Sequence, residues 1–162
     1  LRPVSVDMSA LEKSILANLA QGSPRHVETR VAGDCTILAD EGLITIALDN
    51  LLRNAWKYTS RKNPALIEFG CRYDGEETVF FVRDNGAGFD SAHVDRLFHP
   101  FQRLHSQAEF PGIGIGLATV QRIIARHGGR VWATGAVDQG ADFSFTLPQK
   151  KADGEPLPNV PA

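Results

Sequence analysis

Leu48-Asp49-Asn50-Leu51-Leu52-Arg53-Asn54-Ala55-Trp56-Lys57-Tyr58 is the stretch on which the fold turns. Its spacing predicts a helix with two faces. On a period of 3.6, Ile44, Leu48, Leu51 and Ala55 form an apolar stripe that should seat the helix on a core. Asn50, Asn54 and Lys57 form a second stripe, about 120° away at roughly 100° per residue, with Tyr58 between the two at the helix end. Carboxamide oxygens can ligate a hard cation such as Mg²⁺, an ammonium can contact phosphate, and a tyrosine ring can stack on a base. The ordinary alternative is the polar flank of an amphipathic helix, and motifs downstream bear on that choice.

Outward from this helix, Asp40 is a suitable N-cap. Upstream, residues 4–7 read as a short strand. Ser9-Ala10-Leu11-Glu12 matches a capping box and opens a helix with Leu11, Ile15 and Leu19 on its apolar stripe, flanked by Met8 and Leu16. Gly22 and Pro24 end it. Strands follow at Arg25 to Val31 and Cys35 to Leu38. Downstream, Ile67, Phe69 and Cys71 alternate, Asp74-Gly75 is a hairpin turn signal, and Val79-Phe80-Phe81-Val82 reads as a strand covered on both sides. A short helix is expected over Ser91 to Leu97, then an irregular segment from Phe98 to Pro111. A last long helix runs to Arg126, with Ile113, Leu117, Val120 and Ile124 as its stripe, and Gly128-Gly129 stops it. Two closing strands are expected at Arg130 to Thr134 and Ala141 to Leu147.

A chain of 162 residues suits one domain, predicted over 1–148, with a Pro-, Lys- and Asp-rich tail at 149–162 that has little to bury and is expected to be disordered. The net charge of −2 gives no default attraction to nucleic acid or an acidic membrane surface. No apolar run approaches the ~20 residues that span a bilayer. The N-terminus has neither an apolar signal region nor an initiator Met, which suggests a piece of a longer protein. Cys35 and Cys71 lie in apolar, strand-like contexts without C-x-x-C spacing and are expected to be buried free thiols, compatible with a reducing cytoplasm.

Two glycine motifs carry chemistry. Asp84 ends a strand and precedes Asn85-Gly86-Ala87-Gly88-Phe89. A buried carboxylate needs a partner, and the exocyclic amine of an adenine is a suitable donor. The ordinary alternative is a tight turn. Gly112-Ile113-Gly114-Ile115-Gly116-Leu117 opens a helix, where unpaired N–H groups favour an anion such as a polyphosphate. It has neither the G-K-[ST] of a P-loop nor the glycine spacing and βαβ setting of a dinucleotide fingerprint. Between the motifs, Arg103 suits bidentate contact with phosphate if the segment is a lid, and is a solvated arginine otherwise. Phe98 and Phe101 are expected to anchor that lid on the core. His26, His93, His99, His105 and His127 read as non-catalytic, with His127 suited to a helix C-terminus as a cation.

In this order and spacing the motifs resemble the ATP-binding catalytic domain of sensor histidine kinases, with the texture of phytochrome-type and PAS-linked members. That family shares a superfamily with gyrase, a heat-shock chaperone and a mismatch-repair ATPase. Asn50 to Tyr58 is similar to its N box, Asp84 to Gly88 to its first glycine box, and Phe98 to Phe101 to its F box. Gly112 to Leu117 is similar to its second glycine box, and Gly140-Ala141-Asp142-Phe143 to its closing strand. The resemblance implies an α/β two-layer sandwich of the Bergerat type, a mixed sheet covered on one face by three helices.

It also implies roles. Asn50 and Asn54 would hold Mg²⁺, and Lys57 and Arg103 would contact the phosphates of ATP. Tyr58, Asp84, Gly86, Gly88 and Phe89 would shape the adenine pocket, with Asp84 accepting from the adenine amine. Gly112, Gly114, Ile115, Gly116 and Leu117 would form the lid hinge and the helix that follows. Asn50, Asn54, Lys57 and Arg103 are the catalytic set. ATP-hydrolysing relatives carry a Glu general base four residues before the Mg²⁺ asparagine, whereas this chain has Asn50, which cannot take a proton. The function implied is protein histidine kinase catalysis, with the γ-phosphoryl of ATP passed to a histidine on a separate dimerisation domain and a response regulator downstream. None of the five histidines here matches that phosphoacceptor motif. The isolated domain is expected to be monomeric and cytoplasmic, with no nucleic-acid or membrane contact. The alternatives are an ATPase clamp domain of the gyrase or chaperone kind and a non-catalytic nucleotide-binding interaction module.

Overall fold

The computed structural model describes residues 1–22, 25–32, 35–74, 77–101 and 116–148. Arg103, Gly112, Gly114 and Ile115, and the tail from residue 149, lie outside the described residues. The element order is β1 (Pro3–Asp7), α1 (Met8–Gly22), β2 (Val27–Val31), β3 (Thr36–Asp40), α2 (Glu41–Tyr58), β4 (Ala65–Asp74) and β5 (Glu77–Asp84). A short 3₁₀ helix (Ser91–Arg96), α3 (Gly116–Arg126), β6 (Val131–Ala136) and β7 (Gly140–Pro148) complete it.

Five strands form one sheet in the order β2-β4-β5-β7-β6, with β2 parallel to β4 and the other pairs antiparallel. The sheet is therefore mixed, as the resemblance implies. β1 and β3 pair separately as an antiparallel ribbon, from Pro3 opposite Asp40 to Asp7 opposite Thr36. The helices pack on one face of the large sheet, over a core in which Phe80 stacks between Phe69 (ring centroids 6.4 Å) and Phe145 (5.1 Å). On the opposite face Val79, Ser144 and Thr146 are buried as well. Phe81, expected to be covered on both sides, is half-exposed there, with the Arg83 guanidinium 5.0 Å from its ring.

α2 forms where its pattern predicts. Ile44, Leu48, Leu51 and Ala55 are all at most 1% exposed, joined by Ala47, Leu52 and Trp56. The Asp40 carboxylate accepts the Leu43 N–H at 3.1 Å and caps the helix. His127 also meets this end. Its Nε2 accepts the Asp40 N–H at 3.1 Å, so the neutral ring carries its proton on Nδ1, 2.8 Å from the Ile123 carbonyl. It therefore acts as an acceptor joining the end of α3 to the start of α2, and not as a cation on a helix dipole.

Three further expectations are corrected. The cap of α1 is Asp7, whose carboxylate accepts the Ala10 N–H at 3.0 Å, while Ser9 Oγ donates to the Ala32 carbonyl. With the cap two residues earlier, Glu12 no longer sits at the third helical position. It turns inward with Met8, Ile15 and Leu16, while Leu11 and Leu19 are only partly buried. Cys35 and Cys71 are not free. They form a disulfide with Cα atoms 6.0 Å apart, because the entry to β3 lies against the inward face of β4. Phe98 does pack edge-on against Phe143 at 6.4 Å, but Phe101, at φ 63°, is turned outward and 73% exposed.

Candidate functional site

The polar stripe of α2 lies where its register requires. Asn50, Asn54, Lys57 and Tyr58 are all half-buried beside the fully buried apolar stripe. Asn50 is oriented by a bond from its Nδ2 to the Ile46 carbonyl at 2.9 Å. Its Oδ1 faces the start of α3, where a Cβ on Gly116 would lie 2.8 Å away. Glycine lets α3 begin that close to the carboxamide without displacing it. Leu117, next on α3, is half-buried against the core. Lys57 Nζ lies 4.7 Å from the centroid of the Tyr58 ring.

The turn after β5 meets the other end of α2. The Ala87 N–H donates to the Tyr58 carbonyl at 3.0 Å. Gly86 is pressed against the same carbonyl, and a Cβ there would lie 2.3 Å from its oxygen. On the far side, Gly88 adopts φ 62° and the Ala87 carbonyl accepts from Asp138 N at 2.8 Å. The turn is thus clamped between the last residue of α2 and the β6–β7 connection. Asn85, to which the sequence gives no particular role, fastens the turn to the start of β4. Its Oδ1 accepts from Leu66 N at 2.8 Å and its Nδ2 donates to the Pro64 carbonyl at 3.0 Å.

Asp84 is 7% exposed. One carboxylate oxygen accepts the Gly86 N–H at 2.8 Å, and the Ala141 N–H donates to the same carboxylate. Burial pushes its pKa up to about 6, the two backbone donors oppose that rise, and the nearby Asp142 adds to it. A carboxylate has about four lone-pair sites, so two backbone donors leave capacity for a ligand N–H. Phe89 points elsewhere, 5% exposed with its ring tilted on Phe143. A depression of about 340 Å³ lies beside Asp84, lined by Arg83, Thr134, Gln139 and Asp142 among others. Its lining residues come from β5, β6, β7 and the connection between the last two, and none is on α2.

Tyr58, Asp84, Gly86 and Gly88 are therefore brought together, with Lys57 beside Tyr58 and with Asn50 meeting Gly116. Two carboxamides one turn apart, with no carboxylate between them on that stripe, offer neutral oxygen donors suited to a hard cation already carried by an anionic ligand. Among the described residues no group of three or more His, Cys, Asp or Glu side chains gathers as a metal site. No helix of the described residues is long and apolar enough to cross a membrane.

The profile of the histidine kinase-, DNA gyrase B-, and HSP90-like ATPase family matches residues 39–151. Cyanobacterial phytochrome A of Nostoc is 41% identical across 90% of this chain and 19% of its own length. The methanogenesis regulatory histidine kinase FilI of Methanothrix harundinacea is 40% identical across 84% of this chain and 14% of its own. The chain thus spans less than a fifth of either relative. Among solved structures, full-length ShkA in complex with AMPPNP superposes with a TM-score of 0.74 at 30% identity, covering 91% of this chain and 31% of that one.

Proposed function

The chain belongs to the family of histidine kinase-, DNA gyrase B- and HSP90-like ATPases, as the ATP-binding catalytic domain of a sensor histidine kinase, and from that premise we propose that it donates the γ-phosphoryl of ATP to a histidine on a dimerisation domain of its parent protein. The observation that carries this reading is the junction of Tyr58 with Gly86 and Ala87. It sets the phosphate-suited end of α2 against the carboxylate suited to adenine.

In this reading Asp84 accepts the adenine amine while Gly86 and Ala141 hold its carboxylate in place. Tyr58 borders the base, and Gly86 and Gly88 let the turn that carries Asp84 close on α2 and on the β6–β7 connection. Lys57 and Arg103 neutralise phosphate charge. Asn50 and Asn54 would hold Mg²⁺, which when bound supplies charge neutralisation across the phosphates. Phosphoryl transfer asks mainly for positioning and charge neutralisation, and these residues supply both. Asn50 supports transfer over hydrolysis, because an amide has no basicity with which to activate water. The clamp-ATPase alternative needs a base at that position. A response regulator acts downstream, and the domain works in the cytoplasm.

The test mixes this chain with Mg-ATP and a histidine-bearing helical hairpin from the same parent. Phosphate on the hairpin histidine is the expected result. Sustained phosphate release from Mg-ATP without the hairpin would instead favour the clamp-ATPase reading.

A further inference from the structure

The last turn of α2 exposes four backbone carbonyls that the helix itself cannot satisfy, and each has a partner. The Ala55 carbonyl takes the Thr59 N–H at 3.2 Å and the Thr59 hydroxyl at 2.7 Å. The Lys57 carbonyl takes the Ser60 N–H at 3.2 Å, and the Tyr58 carbonyl takes the Ala87 N–H. The Trp56 carbonyl lies 3.2 Å from the Thr59 hydroxyl and is also met from a distant part of the chain by Nη2 of Arg25, which precedes β2. The same nitrogen lies 3.2 Å from Thr59 Oγ1, and the guanidinium carbon lies 4.7 Å from the Trp56 ring centroid. Thr59 is fully buried.

We propose that Arg25 is a positioning residue for nucleotide binding, locking the C-terminal turn of α2 so that Tyr58 stays in register with Gly86 and Ala87. This rests on the nucleotide site proposed above. A guanidinium drawn partly out of water is costly, and burial here lowers its pKa from the ordinary value. Its carbonyl, hydroxyl and ring contacts offset part of that cost, Nη1 being buried without a hydrogen-bond partner, and all three contacts belong to α2 or its cap. A cation at a helix C-terminus is also favoured by the dipole. The Trp56 and Tyr58 carbonyls are two residues apart on one turn. The arginine and the glycine turn therefore grip the same piece of backbone from different sides. Releasing one grip lets the carbonyl held by the other drift.

The test is titration of the whole chain with a fluorescent ATP analogue and Mg²⁺, with a thermal melt of each variant. Arg25→Ala should bind about tenfold more weakly, the loss expected of a charge-assisted hydrogen bond. A few millimolar guanidinium chloride, far below denaturing levels, should restore most of it. Arg25→Lys should fall between the two. Thr59→Val, which keeps the Trp56 contact, should lose less than Arg25→Ala, and the double variant should be no worse than Arg25→Ala alone. If Arg25→Ala melts before the titration temperature, Arg25→Lys and Thr59→Val decide. Wild-type affinity in a folded Arg25→Ala, or in both of the milder variants, overturns the inference while the nucleotide site stands. No binding by the wild-type chain overturns the nucleotide site, and this inference with it.

Discussion

The backbone carbonyl of Tyr58 accepts the Ala87 N–H at 3.0 Å, fastening the polar end of α2 to the turn that begins at Asp84. The two elements meet backbone to backbone at this point, which fixes the end of α2 directly against the glycine turn. A junction built this way should be sensitive to small steric changes.

Gly86→Ala tests that sensitivity. The added methyl would lie 2.3 Å from the Tyr58 oxygen and 2.7 Å from its carbonyl carbon, and backbone has little freedom to yield. The variant should lose about 1–3 kcal/mol of stability, as overpacked sites do, and bind nucleotide at least tenfold more weakly. Gly22→Ala is the control, since its methyl would meet nothing within 4 Å. Calorimetric titration of both variants checks the pair, and equal affinities would remove the junction from the argument.

Asp84 makes pH act on binding and on folding in opposite senses. Its pKa is raised by burial to about 6 in the folded chain, against an ordinary value of 3.8. Protonation is therefore easier when folded, so this group's contribution to stability is fully present below about 4 and is lost as pH rises through about 6. Accepting an adenine amine requires the ionised form, so nucleotide affinity should fall as pH drops below about 6. Asp84→Asn should bind weakly at every pH and show no such fall. Affinity measured from pH 5 to pH 8 in both proteins decides it.

Glu12 tests burial without function. Both carboxylate oxygens are enclosed without a hydrogen-bond partner, and desolvation pushes the pKa to about 7, opposed by the charge of Lys13. Its stabilising contribution is present below about 4.5 and is lost as pH rises through about 7. Glu12→Gln should therefore melt later than the wild type above pH 7, by about 1–3 kcal/mol in stability, and the gap should close at pH 5. A gap that does not change with pH would contradict this account.

The disulfide between Cys35 and Cys71 spans 36 positions in sequence. Closing a loop of that length constrains the unfolded chain by about 4 kcal/mol in the chain-entropy estimate. Dithiothreitol should lower the melting temperature by about 10 °C, and Cys35→Ser should lower it with or without the reductant. A glutathione-buffered compartment opposes such a bond, so alkylation of the freshly lysed source measures which form the cell holds.

The elements and the two-faced pattern of α2 could be read from residue order because the signals are local. The stripe from Ile44 to Ala55, the cap at Asp40 and the asparagines one turn apart all follow from helical period. The misreadings arise where two caps compete locally or where distant segments meet. Ser9 looks like a cap until Asp7 takes the Ala10 N–H first, and that displacement buries Glu12. Cys35 and Cys71 have no spacing motif, because the packing of β3 on β4 brings them together. Arg25 reads as the start of a strand and His127 as a cation at a helix end, yet each closes one end of α2 from far along the chain.

The sulfur bridge has one more consequence. All of α2 and the polar stretch Thr59 to Asn63 lie on the ring of chain it closes. A protease that nicks once inside that ring opens the circle but frees nothing. On a gel without reductant the cut molecule still runs as one band, and the two pieces part only when thiol is added.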